Sequence, residues 1–593
     1  MASFNPTIIT TKGHALMAKI VAGTATPNFT KISVSDYQYV GGTDYEALTA
    51  MTSIKQSALV SAVSKINDAS VKVSGALSNA ELATGYYLRD IGLYAIDPQE
   101  GEILYSITTA IQPDWIPPNS GVSASSILID LITVVSNASN VSVDVDPNAT
   151  ATVSQIQALE AEIADVKGFI GYNEADIYGV EVDYESKTFT RLAAAINKLP
   201  GADFDGIKAF GGRKRCSLTD DGVVLAYYGE VGYSETGATT VEIIKNSITY
   251  PVGTKVQAMV EQPKFYYKVV PIKLSPITDG IGYHLRKARY YVSDYPKPGF
   301  KIHPAFVRNG VEKSKLYLPA YEASIFDVSA AAYLLADEQI ADFTATTGDK
   351  LCSIANAKPA SGLTQDLTRA KTRILATNRA SGWQQKDALC VSASQMLMMV
   401  EYAAMNMQTA IGAGVTTKVD DGATSMTELT GATTNLGNAS GSVTNVNGWN
   451  VVSYRGEENF FGNIWRWIDG LNIECNNLHY AWYADNSFAD NIKVAPYKNA
   501  GFTLAKANGY ISAFGWSETC DFLFLPSETI GTSALPVGDY FYQNAAYAGF
   551  LVAQLGGSWS SGSNAGAFFW FLYYSSSFRG RAIGGGAVYV PAA

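Results

Sequence analysis

Catalysis in this chain would have to come from scattered groups. Its four histidines, His14, His284, His303 and His479, lie far apart. No His-Glu-x-x-His, phosphate-cradling Gly-rich loop or Gly-x-Ser-x-Gly turn is spelled out. The five cysteines, Cys216, Cys352, Cys390, Cys475 and Cys520, are odd in number and form no Cys-x-x-Cys pair. That is neither a disulfide framework nor a zinc motif, and it fits synthesis in a reducing cytosol. Glu457, Asp469, Glu474, Asp485 and Asp490 are available for cleavage of a glycosidic bond, which needs two carboxyl groups about 5–10 Å apart. Against this, Glu457, Glu458 and Asp469 sit in a Gly-, Asn- and Trp-rich run and read as braces of a scaffold. No catalytic or metal-binding residue is assigned and no cofactor is called for. Asp420-Asp421 and Asp485 carry oxygens that a structural Ca2+ would use, with a plain surface loop as the alternative.

Groups suited to recognition concentrate at the C-terminal end. Phe568, Trp570 and Leu572 alternate with Phe569, Phe571 and Tyr573, and alternate side chains of a strand point to opposite faces. One face can enter the core through Trp570. The other is a binding patch, or it is covered by a further layer. Ser558, Ser560, Ser561, Ser563 and Ser575 to Ser577 surround this strand, and aromatic anchors amid Ser and Gly resemble the composition of a paratope.

The elements that would hold these residues follow from periodicity. Residues 30–40 and 85–97 carry β-type runs, 47–64 is more helix-like, and 127–135 reads as a buried strand rather than a membrane span. Residues 137–152 read as a linker. After a cap at Thr152 or Ser154, Ile156, Leu159, Ile163, Val166 and Ile170 recur at spacings of three and four. That is a coiled-coil seam of about two heptads, or an ordinary amphipathic helix. Residues 259–270 read as a buried strand and 392–408 as a helix with a core stripe of Met396, Met399, Val400, Ala403 and Met407. Residues 412–448 form a Gly/Thr/Asn/Ser loop, long enough to be functional or mobile.

Bulk composition narrows the function. The 593 residues carry 16% charged side chains, 52 Gly and 35 Tyr, with a net charge of −11. Globular chains average about 25% charged residues. The Tyr content serves a recognition surface or a β-protein core equally well. An acidic chain lacks the footprint of a nucleic-acid binder, and the basic run Arg213-Lys214-Arg215 reads as a solvated turn. No secretory signal or run of 18 apolar residues is present in the sequence.

Two stretches resemble known families. Ile9-Thr10-Thr11-Lys12-Gly13 and Gly85-Tyr86-Tyr87-Leu88-Arg89-Asp90-Ile91-Gly92-Leu93-Tyr94 resemble the attachment domain of phage tail-collar fibre proteins. The run Ser453-Tyr454-Arg455-Gly456-Glu457-Glu458-Asn459-Phe460-Phe461-Gly462-Asn463-Ile464-Trp465, with Trp467-Ile468-Asp469-Gly470, resembles the C-type-lectin-like fold of phage tropism determinants and formylglycine-generating enzymes. Gly538-Asp539-Tyr540-Phe541-Tyr542-Gln543-Asn544, Gly556-Gly557-Ser558-Trp559 and Ala565-Gly566-Ala567-Phe568 also match. The terminal layout looks like the variable region of proteins diversified by retroelements. In such systems adenine mutation turns Asn codons into codons for Tyr, Ser, Phe, Ala and Gly, but never Trp. One departure is Ile583-Gly584-Gly585-Gly586, which has Gly where such proteins often carry Arg.

These resemblances imply a multidomain α+β chain. Residues 1–145 would be a β-rich virion-attachment domain and 146–172 a linker with a short coiled-coil helix. Residues 173–450 would be the middle or scaffold part of a lectin-like region, and 451–593 a C-type-lectin-like receptor-binding domain with a candidate variable region at 539–583. The candidate receptor-binding, variable residues are Tyr540, Tyr542, Ala545, Ala546, Tyr547, Ser558, Ser560, Ser561, Phe569, Phe571, Tyr573, Tyr574, Phe578, Gly580 and Ala582. The scaffold set is Arg455, Gly456, Glu457, Asn459, Gly462, Trp465, Asp469, Gly470, Trp559 and Trp570. The implied function is a virion tail-fibre adhesin, not an enzyme, made in the host cytoplasm. It would bind a bacterial surface protein or glycan at one end and phage tail or baseplate proteins at the other, as a homotrimer, without nucleic acid or membrane insertion. The alternatives are a glycan-depolymerising tailspike, whose long β-helix repeats are missing here, and a purely structural collar protein.

Overall fold

The computed structural model describes residues 3–67, 70–119, 126–135, 174–337 and 339–592. The expected linker and coiled-coil helix lie outside the described residues. The chain divides into two compact units, residues 1–167 and 168–593. Both are β-rich with few helices, a multidomain α+β architecture.

In the first unit the Ile9–Gly13 motif has a local cause. Thr10 caps the helix Thr11–Val21 by accepting the Gly13 amide at 3.0 Å, which satisfies an otherwise orphaned donor. A Cβ on Gly13 would stand 2.2 Å from the Tyr105 carbonyl oxygen, so only glycine lets the helix lie this close to the sheet. That antiparallel sheet runs in the order Ser3–Phe4, Gly101–Ile116, Tyr86–Asp97, Phe29–Ser35, Ile54–Leu59. Leu88, Ile91 and Leu93 of the second motif enter its core.

Two expectations for this unit are corrected. The helix-like stretch 47–64 contains the strand Ile54–Leu59 and opens the strand Ala62–Asn67. Ala, Leu, Lys and Gln are good helix formers, but propensity is a weak prior, and pairing with Phe29–Ser35 and Ser70–Ser78 overrides it. The strand Ser126–Val134 is buried on one face only: Ile129, Leu131 and Thr133 point inward, while Leu128, Ile132 and Val134 are exposed.

The second unit is built from three large sheets around the helix Ala388–Tyr402. Asp387 caps this helix through the amides of Leu389 and Cys390, at 2.9 and 3.1 Å. Left-handed Ala403 ends it, so the helix starts and stops earlier than the Met spacing indicates. Met396, Met399 and Met407 are fully buried. One core cluster draws on residues from Val180 to Val588 and so spans position 450. The stretch 259–270 is two strands, Gln257–Pro263 and Tyr266–Pro276, in different sheets. Pro263 has no amide hydrogen with which to continue a ladder.

The stretch 412–448 packs in part: Val415, Thr416, Glu428, Thr430 and Thr433 are buried, whereas 419–424 and 446–448 are exposed. Arg213 and Arg215 are also buried, paired with Glu457 and Glu235. The basic run is therefore structural and not a solvated turn.

Candidate functional site

The strand Trp570–Leu572 lies between two neighbours. It pairs antiparallel with Gly549–Leu555 and parallel with Tyr540–Gln543, with Tyr542 opposite Phe571. The alternation then sorts its side chains. Phe568, Trp570 and Leu572 are in the core, and the indole of Trp570 donates to the Phe524 carbonyl at 2.8 Å. Phe571 and Tyr573 face the other way, beside Tyr540 and Tyr542.

The result is one continuous run of rings. Tyr510 lies 5.0 Å from Tyr540, Tyr540 4.7 Å from Tyr542, and Tyr542 5.2 Å from Phe571. Phe571 is 5.7 Å from Tyr573 and 5.3 Å from Tyr574. Tyr574 stacks flat on Phe578, with centroids 3.5 Å apart and planes 6° apart. Offset and edge-on ring pairs of this kind add about 0.5–1.5 kcal/mol each beyond their buried area, which fixes the face. Two patches distant in sequence, 540–542 and 571–578, are thus joined by ring contacts into one surface.

Not every candidate is displayed. Tyr573 is exposed at 40%, and Ala545, Ala546 and Ser560 are also exposed. Tyr540, Tyr542, Phe571, Tyr574, Phe578 and Ser561 are half-buried. Phe569 is a correction: it is 1% exposed, roofed by Trp465 at 4.6 Å and Tyr542 at 6.1 Å. It supports the face from beneath. Ser558 is buried too, its amide bonded to the Ser561 hydroxyl at 2.9 Å. Tyr547 packs against the core cluster, Ala582 packs near Trp559, and Gly580 lies against Gly362.

Trp465 moves in the other direction. Placed with the scaffold by its motif, it is half-exposed and also touches Phe571 at 5.2 Å. Tyr510 was missed altogether. Its hydroxyl donates to Asn564 at 2.8 Å, and nothing in its neighbourhood in sequence connects it to residue 540.

Beneath the face the scaffold residues are held by charge pairs. Arg455, at φ 43°, grips Glu401 with contacts of 2.7 and 2.6 Å. The carbonyl of Gly456 accepts from Arg215 at 2.9 Å. Glu457 lies between Arg213 and Lys386. Burial alone would raise its pKa, but the two cations outweigh it and bring the carboxyl down to about 2. Asn459 donates to Glu322 at 3.1 Å, and the Gly462 amide bonds to Gly556 at 3.1 Å. Asp469 takes two bonds from Arg373 and the Gly470 amide at 3.0 Å. Trp559 is fully buried with the Arg581 guanidinium 5.5 Å from its ring centre.

The other candidate carboxylates have partners too, a cation in every case but Asp485. Asp490 pairs with Arg369 and Arg373, and Glu474 with Lys493 at 2.6 Å. Asp420 and Asp421 bind Arg581. Asp485 accepts from Asn486 at 2.5 Å. The five cysteines are buried free thiols, and burial pushes each thiol up. Buried His303 is pushed down to about 3 by desolvation and nearby Arg308. Among the described residues, no three or more His, Cys, Asp or Glu side chains are grouped to hold a metal ion. No helix there is long and apolar enough to cross a membrane.

Comparison with solved structures returns the Major Tropism Determinant U1 variant, at 12% identity and a TM-score of 0.23, covering 69% of this chain and 94% of that one. The P3c and I1 variants match at 11% and 13% identity, TM-scores 0.22 and 0.23, with the same coverage. At these TM-scores the reading of the second unit rests on its own geometry. No curated protein matches the chain. Residues 1–155 match the family model described as phage tail-collar fibre protein, N-terminal, and the first unit is therefore a phage tail-collar fibre domain.

Proposed function

We propose that this chain is a phage tail-fibre adhesin whose first unit joins it to the virion and whose aromatic face binds a receptor on the bacterial surface, without catalysis. The observation that supports this most is the ring run from Tyr510 to Phe578, half-exposed on a sheet whose other side is core. Amphipathic rings on a rigid support lose little entropy on binding. Four of the five candidate carboxylates, Glu457, Asp469, Glu474 and Asp490, are held in ion pairs, which favours the non-enzymatic reading over a glycan-cleaving one, since a general acid must be free to exchange its proton.

On the same reading the chain assembles as a homotrimer, so weak contacts are multiplied by effective concentration. It is made in the host cytoplasm and carried on the virion, with tail or baseplate proteins as partners of its first unit. The stretch 539–583 is retroelement-diversified around the constant Trp559 and Trp570. A near-copy of its coding sequence, differing at adenines beside a reverse-transcriptase gene, would establish this.

The test is adhesion of the full chain to a panel of whole bacteria, beside a variant with Phe571, Tyr573 and Tyr574 changed to Ala. Both are first checked for an unchanged circular dichroism spectrum. Binding by the parent to some strains and by the variant to none is expected. Equal binding by both would remove the aromatic face as the receptor site.

A further inference from the structure

A separate cavity of about 270 Å³ opens in the second unit, lined by residues of the strands Tyr266–Pro276, Lys301–Ile302 and His479–Tyr483 and by the helix Ala388–Tyr402. It shares no lining residue with the aromatic face. Its inner wall is apolar, with Tyr267, Leu389 and Phe522 each at most 4% exposed. Tyr483 packs edge-on to Phe522 at 5.4 Å. Four charged side chains, Lys301, Asp485, Lys498 and Asp521, line the same space.

Those groups are positioned before any ligand arrives. Asp521 accepts the buried Tyr267 hydroxyl at 2.6 Å on one oxygen and the Lys301 ammonium at 2.9 Å on the other. A carboxylate has about four acceptor sites, so two remain. The Asp485 backbone carbonyl is tied by Arg308 at 3.3 Å and one carboxylate oxygen by Asn486. The Lys498 side chain is exposed and its ammonium has no hydrogen-bond or ion-pair partner among the described residues, so its three donors are available.

The chemistry selects a ligand class. Two ammonium groups and two carboxylates sum to no net charge, with Lys301 and Asp521 already paired to each other, so neither a net anion nor a net cation is favoured. A neutral molecule with one apolar face and several hydroxyls satisfies the inner wall, the acceptors and the donors together. Small-molecule sites range from about 300 to 1,000 Å³, so this cavity holds one ring rather than an extended chain. We propose that it is a second ligand site, taking a single neutral hexopyranose unit of a glycan. The proposal goes beyond the aromatic-face reading and does not depend on it.

The experiment is saturation-transfer NMR on the full chain, with the methyl α-pyranosides of glucose, galactose and mannose and with N-acetylglucosamine at millimolar concentration. Transfer to the ring protons of at least one sugar is expected. Thr519→Trp fills the mouth from an exposed position and should abolish transfer, and Asp485→Asn should weaken it. Tyr573→Ala should leave it intact. No transfer from any of the four sugars overturns the site. So does transfer that survives both Thr519→Trp and Asp485→Asn, or transfer that is lost in Tyr573→Ala instead. Adhesion of the same Thr519→Trp protein to bacteria reports separately on the aromatic face, so a failure of one reading is distinguishable from a failure of the other.

Discussion

Trp570 and Tyr573 stand three positions apart and have opposite work. Trp570 is 1% exposed, with its indole nitrogen bonded to the Phe524 carbonyl. Trp570→Ala leaves a large cavity and an unpaired carbonyl, so it should cost about 3–5 kcal/mol in urea denaturation. Tyr573 is 40% exposed, and Tyr573→Ala should change stability by less than about 1 kcal/mol while weakening adhesion. Equal destabilisation by the two would show that the outward face is covered in the assembled protein. The alternation made two opposite faces legible in the sequence, with Trp570 leading one into the core, and left open whether the other is displayed or covered. It did not reveal that Phe569 is buried. That depends on Trp465, supplied by a strand about a hundred residues earlier, and a two-residue period carries no information about such a roof. Tyr510 was invisible for the same reason.

At the scale of elements, what could be read was local and what was missed was a pairing. The Thr10 cap lies within the Ile9–Gly13 motif, but the close approach at Gly13 is to Tyr105, and the Asp387 cap, spread over residues 387–390, was not read because the Met spacing placed the helix at 392–408. The stretch 47–64 went wrong because helix propensity is a weak prior and strand pairing, with Phe29–Ser35 and in a hairpin with Ser70–Ser78, overrides it. The joining of 540–543 to 570–572 is a parallel pairing across the strand Gly549–Leu555 and its turns, which no pattern within either segment announces. The loop 418–428 is another case. Its composition reads as mobile, yet Arg581 binds Asp420, Asp421 and the Thr424 carbonyl, and Lys418 pairs with Glu428. Partly exposed ion pairs contribute about 0–1 kcal/mol and the Arg581 guanidinium also covers buried Trp559, so Arg581→Ala should lower the global unfolding midpoint only modestly. It should instead open this loop locally, since regions with few buried contacts unfold on their own. Hydrogen exchange should show faster amides at 419–427 with protection of the strand Trp465–Cys475 unchanged. If the loop amides exchange as before, Arg581 is not its latch.

For the whole molecule the buried acids make stability a function of pH, in two directions. Glu457 is held at about 2 by Lys386 and Arg213 against the effect of burial. Its contribution is therefore present above the usual 4.5 and is lost as pH falls through about 2. Glu322 is the reverse. Burial pushes it up to about 8 even though the Arg466 guanidinium and the Asn463 and Asn459 amides pull it down, with Glu458 adding to the rise. The folded protein then keeps a proton that the unfolded chain releases above about 4.5. Stability from this group is full below 4.5 and declines as pH rises towards about 8, by on the order of 1 kcal/mol per pH unit. Glu322→Gln preserves the acceptor that Asn459 and Asn463 reach, at 3.1 and 2.6 Å, and removes the titration. The difference in unfolding free energy between parent and variant, followed by urea from pH 5 to 8, should move steadily in favour of the variant. A difference that stays flat across that range would mean Glu322 is already ionised in the fold, with Arg466, at 3.8 Å, as its counter-ion.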